Sequence, residues 1–237
     1  MNINKYDPRL KTHEELNALF FCGISILKEL LESLIPGKKG SLTNQSWIIT
    51  GPRGAGKSHL LTKLYKDIQV NENLNNRWLP LIFPEELYGV NSLFRLLLKI
   101  LDEVFKQSNA MDFTKELKSE YERLKHIQVS KTRKEREMQL HDASKKLFAF
   151  LLQLQRKTGK KLILLLENLQ MLFDEQLTDN ELKLLRSIMQ EHPDGFIIIG
   201  TALTVMNQIE AYGKPFYHFF KLRRIEQLSK ENMVHFM

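Results

Sequence analysis

The segment that most constrains the fold is the glycine-rich octapeptide at residues 51–58, Gly-Pro-Arg-Gly-Ala-Gly-Lys-Ser. It matches the pattern G-x-x-x-x-G-K-[ST]; an apolar strand pattern (46–50) precedes it, and a helical pattern (57–70) follows it. The glycines permit a tight loop whose backbone N–H groups point inward, and the N-terminal end of the next helix adds positive potential there. The sequence therefore predicts a phosphate-binding loop between a strand and a helix.

Each part of this loop has an expected task towards a nucleoside triphosphate and its Mg²⁺. Lys57 is expected to reach the β- and γ-phosphates, and the Ser58 hydroxyl to join the magnesium shell. An acid at the end of a second buried strand completes such a site, and Glu167 follows the apolar run 161–166. The residues predicted to contact the nucleotide are Gly51, Pro52, Arg53, Gly54, Ala55, Gly56, Lys57, Ser58 and His59, and those predicted to hold the metal are Ser58 and Glu167.

Two competing acids, Glu85 and Glu86, follow the strand pattern at 78–83. Pro80 within that pattern favours an edge position in the sheet. Strand and helix patterns alternate along the chain, which is typical of an α/β sandwich with a mostly parallel sheet. Further strands are predicted at 161–166, 196–200 and 219–225, and helices at 14–35, 57–70, 92–105, 142–157 and 178–190.

Composition narrows the protein class. Lys and Arg number 35 against 28 Asp and Glu, so the net charge is 35 − 28 = +7, which fits a solvated surface, nucleic acid or acidic lipid. The single cysteine, Cys22, excludes an internal disulfide and a zinc site of two thiolates, and fits a reducing compartment. The uncharged stretch 16–27 is too short to span a bilayer, and no secretory signal precedes it. These features predict a cytoplasmic protein without a membrane segment.

Residues 113–146 differ from the rest of the chain in charge. They contain ten Lys or Arg and six acids, and almost no run of bulky apolar residues apart from isolated Leu and Ile. We predict one or two exposed helices inserted into the core fold. They are either a solvated arm or a surface for DNA or a protein partner.

The segments GPRGAGKSHLL, LILLLEN and IIIGTA resemble the three core motifs of AAA+ ATPases, and are most similar to the initiator/origin-recognition and STAND-like branch. The resemblance covers about residues 15–230. It implies a three-layer αβα P-loop NTPase sandwich with a mostly parallel five-stranded sheet in the order 5-1-4-3-2, which binds ATP and Mg²⁺. Strands 1, 3 and 4 would lie at 46–50, 161–166 and 196–200.

The same resemblance divides the chain into three parts. Residues 1–40 are expected to form a helical segment packed on the core, and 41–230 the nucleotide-binding domain, with the insertion at about 107–146. AAA+ proteins carry a helical lid after this core. Residues 231–237 are therefore expected to be the start of a truncated or absent lid.

By the resemblance, Glu167 falls where the family has its magnesium-binding Asp, and Asn168 where it has its water-activating Glu. Thr201 falls at the polar sensor position, so Lys57, Glu167, Asn168 and Thr201 are the expected catalytic residues. An amide cannot accept a proton at neutral pH, so hydrolysis is expected to be slow unless Glu167 or an acid such as Glu85 or Glu86 serves as the base. A different register, with Glu167 as the base, would place Leu166 at the metal position.

By the resemblance, Arg223 and Arg224 lie where an arginine finger acting on a neighbouring subunit of a homo-oligomer could sit. No local pattern fixes that role, and a solvated surface is the alternative. Near these arginines, the aromatic residues between 212 and 220 fit either base stacking or core packing. Two functions remain open: an ATP-binding AAA+ switch or assembly factor, and a nucleic-acid-binding regulator in which nucleotide is secondary. A small-molecule or nucleotide kinase built on the same loop is a third possibility, disfavoured because the sequence shows no recognisable lid with cationic residues.

Overall fold

The computed structural model of the chain describes residues 7–20, 22–35, 45–107, 114–127 and 132–226. A 3₁₀ turn (Pro8–Leu10) comes first. The helices are α1 (His13–Leu19), α2 (Ile24–Ser33), α3 (Lys57–Val70), α4 (Glu72–Asn75), α5 (Leu93–Gln107), α6 (Lys115–Lys125), α7 (Arg133–Thr158), α8 (Leu169–Met171), α9 (Asp179–Glu191) and α10 (Asn207–Glu210). The strands are β1 (Trp47–Thr50), β2 (Trp78–Phe83), β3 (Lys161–Leu166), β4 (Phe196–Ala202) and β5 (Lys221–Arg224).

The five strands form one sheet in the order β2-β3-β4-β1-β5, and every pair is parallel. This is the predicted order, and β2, which contains Pro80, is an edge strand as expected. Successive residues of β3 point to opposite faces of the sheet, so Leu164 packs with α5, α7 and α9, whereas Ile163 packs with α2 and α3. Helices cover both faces, and the three-layer αβα sandwich is confirmed.

The N-terminal segment is two helices, not the single helix predicted at 14–35. The break precedes α2, where Gly23 adopts a left-handed conformation with φ 72°. A Cβ at this glycine would lie 3.0 Å from Cδ1 of Ile225, so the chain passes close to the residue that follows β5. Apolar residues continue across the break, which is why periodicity did not reveal it.

The charged insertion also differs from the prediction in its extent. Helix α7 runs through the predicted boundary at 146, because no glycine or proline interrupts residues 133–158. Residues 134–139 are all exposed, whereas Leu147 and Leu151 are buried against α5. One helix therefore serves as both the arm and a core element. Helix α6 covers α5 through Tyr121, whose ring stacks on Phe105 at 4.2 Å.

Several predicted boundaries shift by one or two residues. Strand β4 continues to Ala202, which places Thr201 inside the strand, and β5 is shorter than the predicted 219–225. The predicted domain boundaries at 40/41 and 230/231 lie outside the described residues, as do residues 231–237, and these stay predictions. Among the described helices, none has both the length and the apolar composition needed to cross a bilayer.

A cluster of ion pairs around Glu29 connects helix α2 to the edge strand β5. The carboxylate of Glu29 accepts hydrogen bonds from Arg223 at 2.5 and 2.7 Å, and Lys221 lies 2.9 Å away. Both cations also lie over the ring of Trp47. The Arg223 hydrogen bonds, assisted by Lys221, lower the pKa of Glu29 from its ordinary 4.5 to about 2.

The Glu29 cluster predicts a pH-dependent stability. A depressed carboxyl pKa stabilises the fold above about pH 4.5, and this contribution is lost as the pH falls towards 2. Glu29→Gln is therefore expected to lower the free energy of unfolding by about 1 kcal/mol at pH 7, an amount that allows for solvent screening of this partly exposed group. Urea unfolding at pH 7 and pH 3 measures this, with the exposed Glu210→Gln as the control; an equal loss at both pH values would contradict it.

Candidate nucleotide-binding site

A cavity of about 420 Å³ lies at the carboxyl ends of the parallel strands, the edge where open α/β sheets bind their ligands. The loop between β1 and α3 forms one wall, and the residues that follow β2 and β3, together with the end of β4, form the other. It is lined by Pro8, Arg53, Gly54, Gly56, Lys57, Ser58, His59, Glu85, Glu167, Asn168, Thr201, Ala202 and Leu203. The fold thus brings the four predicted catalytic residues and both predicted metal ligands into one cavity.

The loop conformation depends on two glycines. Gly54 and Gly56 have φ values of 80° and 88°, a left-handed conformation that glycine adopts without steric cost. Gly56 caps α3, and its carbonyl accepts the first helical hydrogen bond from the Leu60 N–H at 2.9 Å. The N-terminal end of the 14-residue helix α3 is therefore directed at the cavity, where its dipole favours anions.

Lys57 is the first residue of α3, and its side chain turns back towards the loop. Its Nζ donates to the carbonyl oxygens of Gly51 and Pro52, each at 2.7 Å. Burial lowers the pKa of Lys57, while the negative charges of Glu85 and Glu167 oppose that shift. These carbonyls hold the ammonium group at the cavity wall.

Ser58 and Glu167 are in direct contact although they are 109 residues apart. The Ser58 hydroxyl donates to Oε2 of Glu167 at 2.6 Å. Glu167 is 8% exposed, and burial raises its pKa, partly offset by the Ser58 hydrogen bond. Mg²⁺ prefers hard oxygen ligands and is usually bound by one or two carboxylates together with substrate phosphates. The two side chains fit that ion, and the described residues contain no larger His/Cys/Asp/Glu cluster that would suit another metal.

The alternative register, with Leu166 at the metal position, finds no support in the site. Leu166 is fully buried in the apolar cluster that includes α5 and α9, and it offers no oxygen ligand. Glu167, one residue later, contacts Ser58. The contact places Glu167, and not Leu166, beside the loop serine, and the metal role of Glu167 stays a prediction.

Asn168 begins the turn into α8 in a left-handed conformation, with φ 50° and ψ 52°. Asparagine is one of the few residues that adopt this conformation readily. Its backbone N–H donates to Oγ1 of Thr201 at 3.3 Å, and Thr201 is 3% exposed. The predicted sensor residue on β4 thus contacts Asn168, the residue predicted to stand where the family has its water-activating Glu.

Comparison with known protein families is consistent with this geometry. The sequence model of the AAA ATPase domain family matches residues 24–199, well over half of the chain. The chain belongs to the AAA ATPase domain family. No curated protein matches it by sequence.

Solved structures support the same fold for this AAA ATPase domain. It is similar to the Orc1 protein of Aeropyrum pernix in complex with DNA, with a TM-score of 0.55 and 13% identity, over 95% of this chain and 48% of that chain. It is also similar to Cdc6p of Pyrobaculum aerophilum, with a TM-score of 0.50 and 13% identity over 85% and 44% of the respective chains. A third similar structure is Drosophila ORC bound to GC-rich DNA and Cdc6, with a TM-score of 0.51 and 12% identity, over 99% of this chain and 34% of that chain. The chain spans about half the length of the first two proteins, and the likeness shows the fold alone.

The N-terminal segment forms a wall of the AAA ATPase cavity that the sequence did not reveal. Pro8 is buried and lines the cavity, in a 3₁₀ turn capped by Asp7, whose carboxylate accepts from the backbone N–H of Arg9 at 3.0 Å. The positive charge of Arg9 partly counteracts the effect of burial on the pKa of Glu167. The Asp-Pro pair indicates a turn, but no local pattern shows that this turn packs on α3.

Other predicted residues lie outside the cavity wall. Gly51, Pro52 and Ala55 belong to the loop but do not line the cavity, and the Gly51 N–H donates to the Ala202 carbonyl at 3.2 Å. Arg223 and Arg224 lie on β5, where Arg223 contacts Glu29 of the same chain. Their role as an arginine finger stays a prediction.

Proposed function

We propose that this AAA ATPase domain binds ATP with Mg²⁺ and acts as a nucleotide-dependent switch or assembly factor that hydrolyses ATP slowly to ADP and phosphate. The observation that carries the proposal is the contact between Ser58 and Glu167 at 2.6 Å, in the cavity that also contains Lys57. A hydroxyl, a carboxylate and an ammonium group are thus placed where a helix N-terminus favours phosphate.

The residue roles follow from this arrangement. The loop and the end of α3 bind the phosphates, and Lys57 exchanges its bonds to the Gly51 and Pro52 carbonyls for bonds to the β- and γ-phosphates. Ser58 and Glu167 would hold Mg²⁺, which neutralises phosphate charge when bound.

Slow hydrolysis follows from the amide at position 168. Asn168 can orient a water molecule but cannot take its proton. Its hydrogen bond to Thr201 links the end of β3 to β4, so a ligand that displaces either residue changes both. This link supports a switch in which the nucleotide state controls the segments that follow the two strands.

The test is ATP binding measured by calorimetry. Lys57→Ala is expected to weaken ATP binding at least tenfold, because a desolvated ion pair to phosphate is lost. Lys66→Ala is the matched control, since it removes a positive charge from the same helix, where Lys66 lies beside the Tyr65 ring. Equal affinity of the two variants would refute the proposal.

We keep nucleic-acid binding through residues 113–146 as the second candidate function. It is supported by the excess of ten Lys or Arg over six acids in this segment and by the Orc1 protein that was solved with DNA. Electrophoretic mobility across a salt series decides it, because phosphate contacts weaken steeply as salt rises. The absence of a shift at low salt would exclude it.

The homo-oligomer and the cytoplasmic location stay predictions. Sedimentation with and without ATP tests the homo-oligomer.

A further inference from the structure

Glu85 is a carboxylate in the nucleotide cavity to which the residue roles above give no task. It lies two residues beyond β2 and lines the cavity together with Lys57, Asn168 and Thr201. Its neighbour Glu86, the other acid considered from the sequence, does not line the cavity. The fold therefore separates two acids that the sequence could not distinguish.

Glu85 and Asn168 follow two strands that pair directly in the sheet. Phe83 of β2 pairs with Leu166 of β3 in a parallel ladder. Glu85 and Asn168 each come two residues after this last pair, and both line the same cavity. Position 168 carries an amide, and Glu85, which follows the neighbouring strand, adds a carboxylate to the same cavity.

The other carboxylate in the cavity wall is already engaged. Glu167 is buried and accepts the Ser58 hydrogen bond at 2.6 Å, which makes it a metal ligand in the proposed function. Among the lining residues, Glu85 is the remaining carboxylate, and its exposed position gives it access to water. Burial is the main cause of both shifts in the cavity: it raises the pKa of Glu167 and lowers the pKa of Lys57. The negative charge of Glu85 acts to raise both pKa values. Glu85 therefore lies within electrostatic range of both groups.

We propose that Glu85, in place of a carboxylate at position 168, is the general base of the slow ATP hydrolysis in this chain, an inference that rests on the proposed function. The water oxygen bonds to the γ-phosphorus, and the bond from that phosphorus to the β–γ bridging oxygen breaks. The bridging oxygen leaves with the electron pair as part of ADP, and the proton of the water passes to the Glu85 carboxylate and from there to the released phosphate. Asn168 orients the water through its amide.

The experiment compares Glu85→Gln with Glu86→Gln, which removes the same charge one residue away and outside the cavity wall. Phosphate release is measured in a single turnover, and ATP affinity by calorimetry. Glu85→Gln is expected to slow phosphate release at least tenfold while ATP affinity changes less than threefold, whereas Glu86→Gln behaves as the unsubstituted chain. Nucleotide extracted from the Glu85→Gln protein after incubation should remain ATP.

A second comparison distinguishes a base from a structural support. In an Asn168→Glu background a carboxylate is already present at 168, so adding Glu85→Gln should slow release less than threefold. An equal loss in both backgrounds would overturn the assignment, as would full activity of Glu85→Gln. An unsubstituted chain that binds ATP but releases no phosphate overturns this inference and leaves ATP binding in place; one that does not bind ATP overturns the proposed function as well.

Discussion

Asn168→Glu is expected to raise the single-turnover rate of ATP hydrolysis on the order of 100-fold. Positioned general bases contribute about 10²- to 10⁴-fold, and the lower end applies here because Glu85 already supplies part of that role. The new carboxylate would stand at the position that the backbone hydrogen bond to Thr201 fixes. ATP affinity should change little, because Lys57 and the loop are untouched.

The substitution also has a structural cost that can be separated from its chemistry. Residue 168 has φ 50°, and glutamate tolerates this conformation less well than asparagine, so the free energy of unfolding should fall by about 1 kcal/mol. Asn168→Gln has the length of glutamate and the same backbone cost but no basic group. Phosphate release, calorimetry and urea unfolding on both variants measure the two effects. If Asn168→Glu shows no gain over Asn168→Gln at equal ATP affinity, residue 168 does not lie beside the attacking water.

The loop and the strand order could be predicted from the sequence for different reasons. The loop chemistry is contiguous, so residues 51–58 specify the turn, the helix start and the cation together. Resemblance to AAA+ ATPases supplied the strand order, which apolar patterns alone do not contain. The position of Glu167 at the end of a strand is predictable because the apolar run 161–166 ends immediately before it. Such runs are typical of strands buried on both faces.

Contacts between distant segments could not be predicted in this way. Phe216 stacks on Phe173 at 4.8 Å inside the core, whereas Tyr212 in the same aromatic run is 91% exposed. Composition cannot separate the two, because the difference depends on which ring faces α8 and the π-helical turn at Leu172–Gln176. The choice between Glu85 and Glu86 likewise depends on the course of the chain after β2, which places Glu85 in the cavity wall.

Gly51 lies at a close approach between the phosphate-binding loop and the residue that follows β5. A Cβ at this position would lie 2.5 Å from the carbonyl oxygen of Ile225 and 2.6 Å from its Cγ2. Neither backbone can move freely: the Ile225 N–H donates to the Thr50 carbonyl at 2.8 Å, and the Gly51 N–H donates to the Ala202 carbonyl at 3.2 Å. Gly51→Ala is therefore expected to lower the free energy of unfolding by about 3 kcal/mol, the upper range for overpacked sites.

Gly89→Ala is the matched control for this clash. Gly89 has φ 75° and open space around the added Cβ, so it meets only the cost of the left-handed conformation, about 1 kcal/mol. Urea unfolding of both variants at neutral pH measures the difference. Equal losses would show that β5 does not pass against the start of the loop. Because the Gly51 carbonyl also holds the Lys57 ammonium at 2.7 Å, Gly51→Ala should weaken ATP binding, whereas Gly89→Ala should not.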